Sequence, residues 1–347
     1  MKNRFTKVTS LIIAIIMVMS LITACSGGGQ EKAPNEGSQQ SGEFKEPDKL
    51  NVTIVGGSIG GAWAAIGEGV GEVIRRSYAG SNTAYEVGQE AANLALVSAG
   101  KVQLGIAHTG LIKMASEGQA PFNRKMENLR ALTVLYGEAA EHFLIKADTG
   151  ITSFEDLKNK KYPLKVNFNT ADSFMEIVGK KCLEANGITY EDLKSWGGAV
   201  DFMSMGNSID LMRDGKLEAY SNVIQVPSSH IVDASTNLKL NLLPMTDEAI
   251  EKVNAELGTY KTTISKEKYS FLNEDVPTVA ATVVLFASTD LTDGEAYAIV
   301  KAIDENMDYF KGIHASLGDL TLEKMTEVAP VPLHPGAEKY YKEKGVL

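Results

Sequence analysis

The chain has 347 residues, with 34 basic against 44 acidic side chains and a formal net charge of −10. That balance excludes nucleic acid and other polyanions as partners, because their phosphates require a basic face. Two cysteines and five histidines, with no Cys/His cluster at zinc spacing, leave no metal site to expect.

Lys2, Arg4 and Lys7 open the chain, residues 11–22 are apolar but too few to cross a bilayer, and Thr23-Ala24 stand directly before Cys25. Residues 1–24 therefore read as a signal peptide. The small pair before Cys25 resembles a bacterial lipobox, so lipidation at Cys25 is expected, and with it an extracytoplasmic chain anchored to the membrane. Residues 25–49, "CSGGGQEKAPNEGSQQSGEFKEPDK", have almost nothing to bury and read as a flexible tether. Losing residues 1–24 removes three positive charges and no negative one, which moves the net charge from −10 to −13. Cys182 is then the one thiol left, so no intramolecular disulfide can form.

Beyond the tether, strands and helices alternate. Residues 50–55 form an apolar strand, the stretch from about Ile59 to Ser77 reads as a helix, and residues 83–87 make a second strand. Residues 91–98 are again helical, with Gly100 in the stop position, and "VQLGIAH" follows as a strand. This order specifies an α/β fold with open parallel sheets, in which ligands lie at the carboxyl ends of strands. Residues 141–147 read as a strand leaving the first lobe, Thr152-x-x-Glu155 as a capping box, and residues 164–168 as the first strand of a second sheet. A helix over 172–185, stopped by Gly187, carries the apolar stripe Phe174, Ile177, Val178, Cys182 and Ala185, which predicts a buried thiol. "TVAATVVLFAS" leads back to the first lobe, and Thr292-x-x-Glu295 caps a final long helix with the stripe Ala296, Val300, Ile303, Met307 and Phe310. The lobes are expected at residues 50–147 plus 276–347 and at 148–275.

The turn after the first strand, "VGGSIGG", admits three chemistries. As a dinucleotide turn it lacks the second glycine, where Ser58 stands, and Glu86 lies too far along to hold a ribose. As a G-x-S-x-G nucleophile elbow it comes too early, since only the tether precedes the strand; His230, His314 and His334 could serve as bases, but none has a local signature. An exported serine hydrolase using Ser58 remains the alternative. The third chemistry is binding alone: glycines that let the turn close, a helix start with unpaired N–H groups, and the Ser58 hydroxyl.

"VGGSIGGAWAAIGEGVGEVI", "GQEAANLALVSAGKVQLGIAHTGLIKMASEGQAPF", "DSFMEIVGKKCLEANGITYEDLKSWGG", "LMRDGKLEAY" and the ending "PLHPGAEKYYKEKG" together resemble the TAXI-type solute-binding proteins of TRAP transporters. The likeness runs from about residue 50 to the C-terminus. It implies a two-lobed periplasmic-binding-protein type II-like fold that closes on a solute in the interlobe cleft, with no enzyme activity and no cofactor. It also implies a small polar or anionic organic solute, of the amino acid or carboxylate class, and the membrane subunits of a TRAP permease as partners; a monomer is expected.

Carried onto this chain, the family's Gly-Ser-x-Gly-Gly turn falls on Gly57, Ser58, Gly60 and Gly61, with Ile59 between them and Trp63 as the following aromatic. Trp63 either stacks on the solute or packs its lobe. The Gly-rich segment ending in Asn-Leu falls on Gly88, Asn93 and Leu94, with Gln89 and Glu90 in place of small residues. The polar pair at a strand end is His108 and Thr109, where His108 either meets the solute or is a hydrogen-bonded structural residue. In the second lobe "NFNTADSF" replaces a Gly/Ser-rich anion-binding turn, leaving Asn169, Thr170 and Ser173 as contacts and Asp172 as a helix cap. "VIQVPSSH" adds Gln225 and Pro227. Asp172 would repel an approaching carboxylate. The mature arginines, Arg75, Arg76, Arg124, Arg130 and Arg213, all lie outside these turns, so no bidentate clamp is expected.

Overall fold

The computed structural model describes residues 44–347. The signal peptide, Cys25 and the tether up to residue 43 lie outside the described residues.

The first half alternates strand and helix as the pattern requires: β1 (Asn51–Gly56), α1 (Ala62–Ser77), β2 (Asn82–Val87), α2 (Glu90–Ser98), β3 (Leu104–His108) and α3 (Thr109–Glu117). β1 pairs in parallel with both β2 and β3. Every residue of β3 is buried, as in a strand covered on both faces, whereas β2 at the edge is largely exposed. The second half begins after β4 (Leu129–Lys146) with α4 (Phe154–Asn159), β5 (Lys165–Asn167), α5 (Phe174–Ala185), α6 (Tyr190–Ser195), β6 (Ala199–Asp201), α7 (Met205–Arg213) and β7 (Ala219–Gln225). There β5 pairs in parallel with β6 and β7. The chain then runs through α8 (Ser229–Ser235), β8 (Leu240–Leu242), α9 (Asp247–Leu257) and β9 (Tyr260–Ile264) into β10 (Val276–Ser288). It ends in α10 (Asp293–Glu305), α11 (Met307–Lys311) and α12 (Pro335–Lys344).

Two long antiparallel strands, β4 and β10, join the halves: the sheet order is β2-β1-β3-β10-β4-β7-β5-β6, with β8 on β4 and β9 on β10. The register between them breaks between Ala281 and Val283, opposite Gly137 and Glu138, where both strands pass from one half to the other. Gly137 and Glu138 are also the least buried residues in the middle of β4.

Several local expectations shift. α1 starts at Ala62 with Gly61 as its N-cap, three residues later than Ile59, because Gly60 at φ +84° turns the chain first. α5 starts at Phe174; Ser173, whose Oγ accepts from Glu176 N, is the cap, and Asp172 sits before it at φ +60°. The cap of α4 is Ser153, one residue beyond Thr152, with its Oγ accepting from Asp156 N. The final stripe is divided between α10 and α11 at Asn306, whose side chain donates to Ala302 O and Ser77 Oγ and ends the first helix.

The Thr292–Glu295 capping box is present in both directions, and Thr292→Ala is expected to cost about 1 kcal/mol in urea unfolding. Cys182 is fully buried against Met245 Sδ at 3.5 Å, and burial pushes its thiol pKa up, which makes it a core residue. The end of the tether is tied down: the Phe44 ring packs edge-on against Tyr297 at 5.0 Å, and Glu46 accepts from Tyr78 Oη and Lys301 Nζ.

The distinctive ending is structural. His334 caps α12, its Nε2 donating to Leu291 O and its Nδ1 accepting from Gly336 N. Tyr341 Oη donates to Leu132 O, and Tyr340 Oη to Asp304 Oδ2. The motif thus fastens the C-terminus to β4 and α10.

Candidate functional site

The carboxyl ends of β1 and β3 and the amino ends of α2, α3 and α5 meet at one place. Asn93 on α2 donates through Nδ2 to Gly56 O at the end of β1, and Gly88 N donates to the same carbonyl. A side chain at Gly88 would place its Cβ 1.9 Å from Asn93 Oδ1, so the approach of α2 to β1 depends on that glycine. His108, the last residue of β3, is also the N-cap of α3 and is 1 % exposed. Its ring lies between Trp63, at 5.3 Å between centroids, and Phe174, stacked at 5.2 Å. Trp63 Nε1 donates to Tyr136 Oη at 2.8 Å, which ties the first turn of α1 to the crossing strand β4.

Glu90 links the two halves of the sheet. Its Oε1 accepts from His108 N at 2.7 Å and faces His108 Nδ1 at 2.9 Å; its Oε2 accepts from Phe174 N, the first amide of α5, at 3.1 Å. A carboxylate oxygen only accepts, so the ring carries a proton on Nδ1. Among the described residues neither His108 Nε2 nor Asn93 Oδ1 has a hydrogen-bond partner, although both are buried. Buried polar atoms are seldom left unpaired, which makes this place a candidate site.

The other candidates divide. Ser58, Ile59 and Gly60 are exposed on the rim of the turn, with Ile59 75 % exposed, while Gly57 is half-buried and its carbonyl accepts from Tyr85 Oη. Asn169 is committed to its own half: Nδ2 donates to Asn222 Oδ1 and Tyr220 Oη, and Oδ1 accepts from Thr170 N. Ser173 is spent on capping α5, and Thr109 is buried at the start of α3. Gln225 instead lines a cavity of about 410 Å³ that it shares with Tyr136, Gly137, Glu138, Tyr260 and Lys324 at the strand crossing. Pro227 is exposed beside Ser228, whose N donates to Tyr269 Oη.

Glu90, Tyr136 and Phe174 were not among the expected site residues. Glu90 had a signal, a carboxylate at the start of a helix where small residues were expected; Tyr136 and Phe174 had none beyond their apolar runs. No histidine hydrogen-bonds Ser58 among the described residues. His334 is a cap, His314 bonds Ser316 and is shifted to lower pKa by burial, and His230 is exposed, so among the described residues no histidine is paired with Ser58.

Two α/β halves joined by crossing strands, with helix N-termini meeting where they face, define the two-lobed class of the periplasmic binding proteins. BugD, a periplasmic binding protein, superposes with a TM-score of 0.55 over 86 % of this chain and 94 % of its own, at 11 % identity. PhnD1 from Prochlorococcus marinus, in complex with methylphosphonate, gives 0.52 over 86 % and 97 % at 14 % identity. MatC from Rhodopseudomonas palustris, with bound malate, gives 0.52 over 85 % and 97 % at 14 % identity. Within that class the chain belongs to the NMT1-like family, whose pattern it matches over residues 54–345.

Proposed function

We propose that this protein is an extracytoplasmic solute-binding receptor, held to the membrane by a lipid on Cys25, that captures a small polar organic solute of the amino acid or carboxylate class. It delivers that solute to the membrane subunits of a TRAP-type permease and carries out no reaction on it. The observation that carries the reading is the meeting of the α2, α3 and α5 amino ends at His108, with buried polar atoms left unpartnered among the described residues. Helix N-termini present fixed partial positive charge and free donors to a polar ligand without any catalytic group. The likeness to binding proteins supports the same conclusion, and the ending and turn motifs favour the TAXI type over other receptors of this shape.

In this reading the lobes are residues 50–147 plus 276–347 and 148–275, and closure bends β4 and β10 at Gly137 and Thr282. Trp63 and His108 form one wall, and the exposed turn Gly57–Gly60 folds over the solute as the lobes meet. Native mass spectrometry of the purified protein, followed by a thermal-shift screen of acids, amino acids and polar neutrals, should find a solute that raises the melting temperature. Ser58→Ala should weaken that solute's binding by about three- to tenfold, the worth of one hydrogen bond, and leave the solute chemically unchanged. Conversion of the solute by the pure protein, abolished in Ser58→Ala, would refute the receptor reading.

A further inference from the structure

We infer that the solute compartment is the cavity at the strand crossing, and that it takes an amino acid with a cationic side chain, a solute of one carboxylate and two cationic groups. The inference rests on the receptor reading and names the solute class within it.

A compartment that closes on a solute needs empty volume bounded by both halves. The cavity of about 410 Å³ has such walls: β4 and β10 where they cross, the end of β7 at Gln225, Tyr260 on β9, and the segment after α11, residues 315–327. Its lining carries polar groups with nothing to bond. Tyr136 is 7 % exposed, its Oη accepts from Trp63 Nε1, and its own O–H meets no acceptor among the described residues. Neither end of the half-buried Gln225 amide has a partner among them. Glu138, Asp319 and Glu327 line the same volume with Lys324, and among the described residues none of these charges is in a salt bridge. Burial, and after it the charges of Glu138 and Glu327, push the Tyr260 hydroxyl up to about 12, so both carboxylates act on one ring of the wall. The other cavity between the halves, about 610 Å³ beside α3, α5 and α9, is different: Lys113 is held by Glu117 and Lys181 by Glu184 and Glu256, while Glu176 accepts from Tyr190 Oη.

Three carboxylates and one ammonium are complementary to a solute with the reverse excess of charge. A dicarboxylate would find one cation and three like charges. A diamine would satisfy the carboxylates and leave Lys324 facing a like charge. An amino acid with a neutral side chain matches Lys324 and leaves acidic groups uncompensated. A cationic amino acid matches both signs: its carboxylate takes Lys324, with the Tyr136 O–H and the Gln225 amide N–H as further donors, and its two cationic groups take the acidic side chains.

Matched probes separate the possibilities in calorimetric titrations. L-Lysine, L-ornithine and L-arginine carry the full pattern; L-norleucine lacks the distal cation, 1,5-diaminopentane lacks the carboxylate, and L-2-aminoadipate has a carboxylate in place of the distal cation. At least one of the three basic amino acids should bind the unaltered protein about tenfold or more tightly than each comparison compound. Glu138, Lys324 and Ala315 are exposed, so substitutions there retain the fold. Glu138→Gln and Lys324→Gln should each weaken that binding by about threefold, the first narrowing the preference over norleucine and the second that over diaminopentane. Gln225→Ala should weaken it by about three- to tenfold. Ala315→Trp, which fills the cavity, should weaken it by more than about tenfold with the urea midpoint of the solute-free protein unchanged. If no basic amino acid outbinds the comparison compounds, or if the preferences are the same in both charge variants, the solute class is overturned. Unchanged affinity of the best-bound probe in Ala315→Trp overturns the location, and the receptor reading stands. That reading falls separately, through conversion of the solute or through a full solute screen that yields no stabilising compound.

Discussion

Gly110→Ala is expected to lower the unfolding free energy by about 1–3 kcal/mol and to weaken solute binding by about tenfold or more. Gly110 is the second residue of α3, and a Cβ there would lie 2.4 Å from the Phe174 ring and 2.7 Å from the backbone oxygen of Leu257. Neither can give way. The ring is fully buried and stacked on His108, and the carbonyl belongs to the last residue of α9. The methyl group therefore pushes α3 away from α5 and α9, the contact that sets the first half of the sheet against the second. If solute capture needs that contact, the closed arrangement is disfavoured and apparent affinity falls with its population. Gly69→Ala is the control. Its Cβ meets the tip of the Ile313 side chain at 2.2 Å, away from α3, α5 and α9, and should cost stability without changing affinity. Equal loss of affinity in the two variants would show that Gly110 acts only through overall stability.

The architecture was legible because its periodicity is strong. Apolar runs for β1, β3 and β10, helical stripes for α5 and α10, and the Thr292–Glu295 box all follow from spacing alone. What spacing does not register is the start of a helix after a glycine turn: three residues separate Ile59 from the true start of α1, because Gly60 adopts a backbone conformation with no side-chain signature. Asn169 and Ser173 lie in the expected turn, yet their polar atoms are consumed by Tyr220, Asn222 and the α5 cap. Which partner a hydroxyl or amide takes is a matter of tertiary distance, and Tyr220 and Asn222 are some fifty residues away on another strand. Glu90 was visible only as a misfit in a small-residue segment. Its meaning emerged once the fold brought Phe174, 84 residues further on, to its second oxygen.

The other large expectation concerns Glu141 and His142, neighbours on β4 that are both buried, with no opposite charge beside them among the described residues. Burial pushes Glu141 up to about 8, against a smaller lowering by the Ser221 hydroxyl that donates to Oε1, and its Oε2 has no partner among the described residues. Burial also takes His142 down to about 4, with its Nδ1 on Ala140 O and its Nε2 on Tyr269 Oη. The native state thus keeps a proton on Glu141 that the unfolded chain gives up above its ordinary 4.5, so this group's contribution to stability falls as pH rises from 4.5 to 8. His142 is the reverse: the unfolded chain takes up a proton below 6.5 that the native state refuses, so its contribution is complete above 6.5 and is lost as pH falls toward 4. Between pH 4.5 and 6.5 the two slopes oppose and the pair contributes little change. From 6.5 to 8 Glu141 acts alone and removes about 2 kcal/mol. Glu141→Gln, which copies the neutral acid, should abolish that fall and expose the His142 slope, a gain of about 2 kcal/mol on going from pH 4.5 to 6.5. Urea unfolding of both proteins at pH 4.5, 6.5 and 8 measures this directly. The same slope above pH 6.5 in the variant would mean that Glu141 is ionised in the folded protein, and that a donor or cation reaches its Oε2.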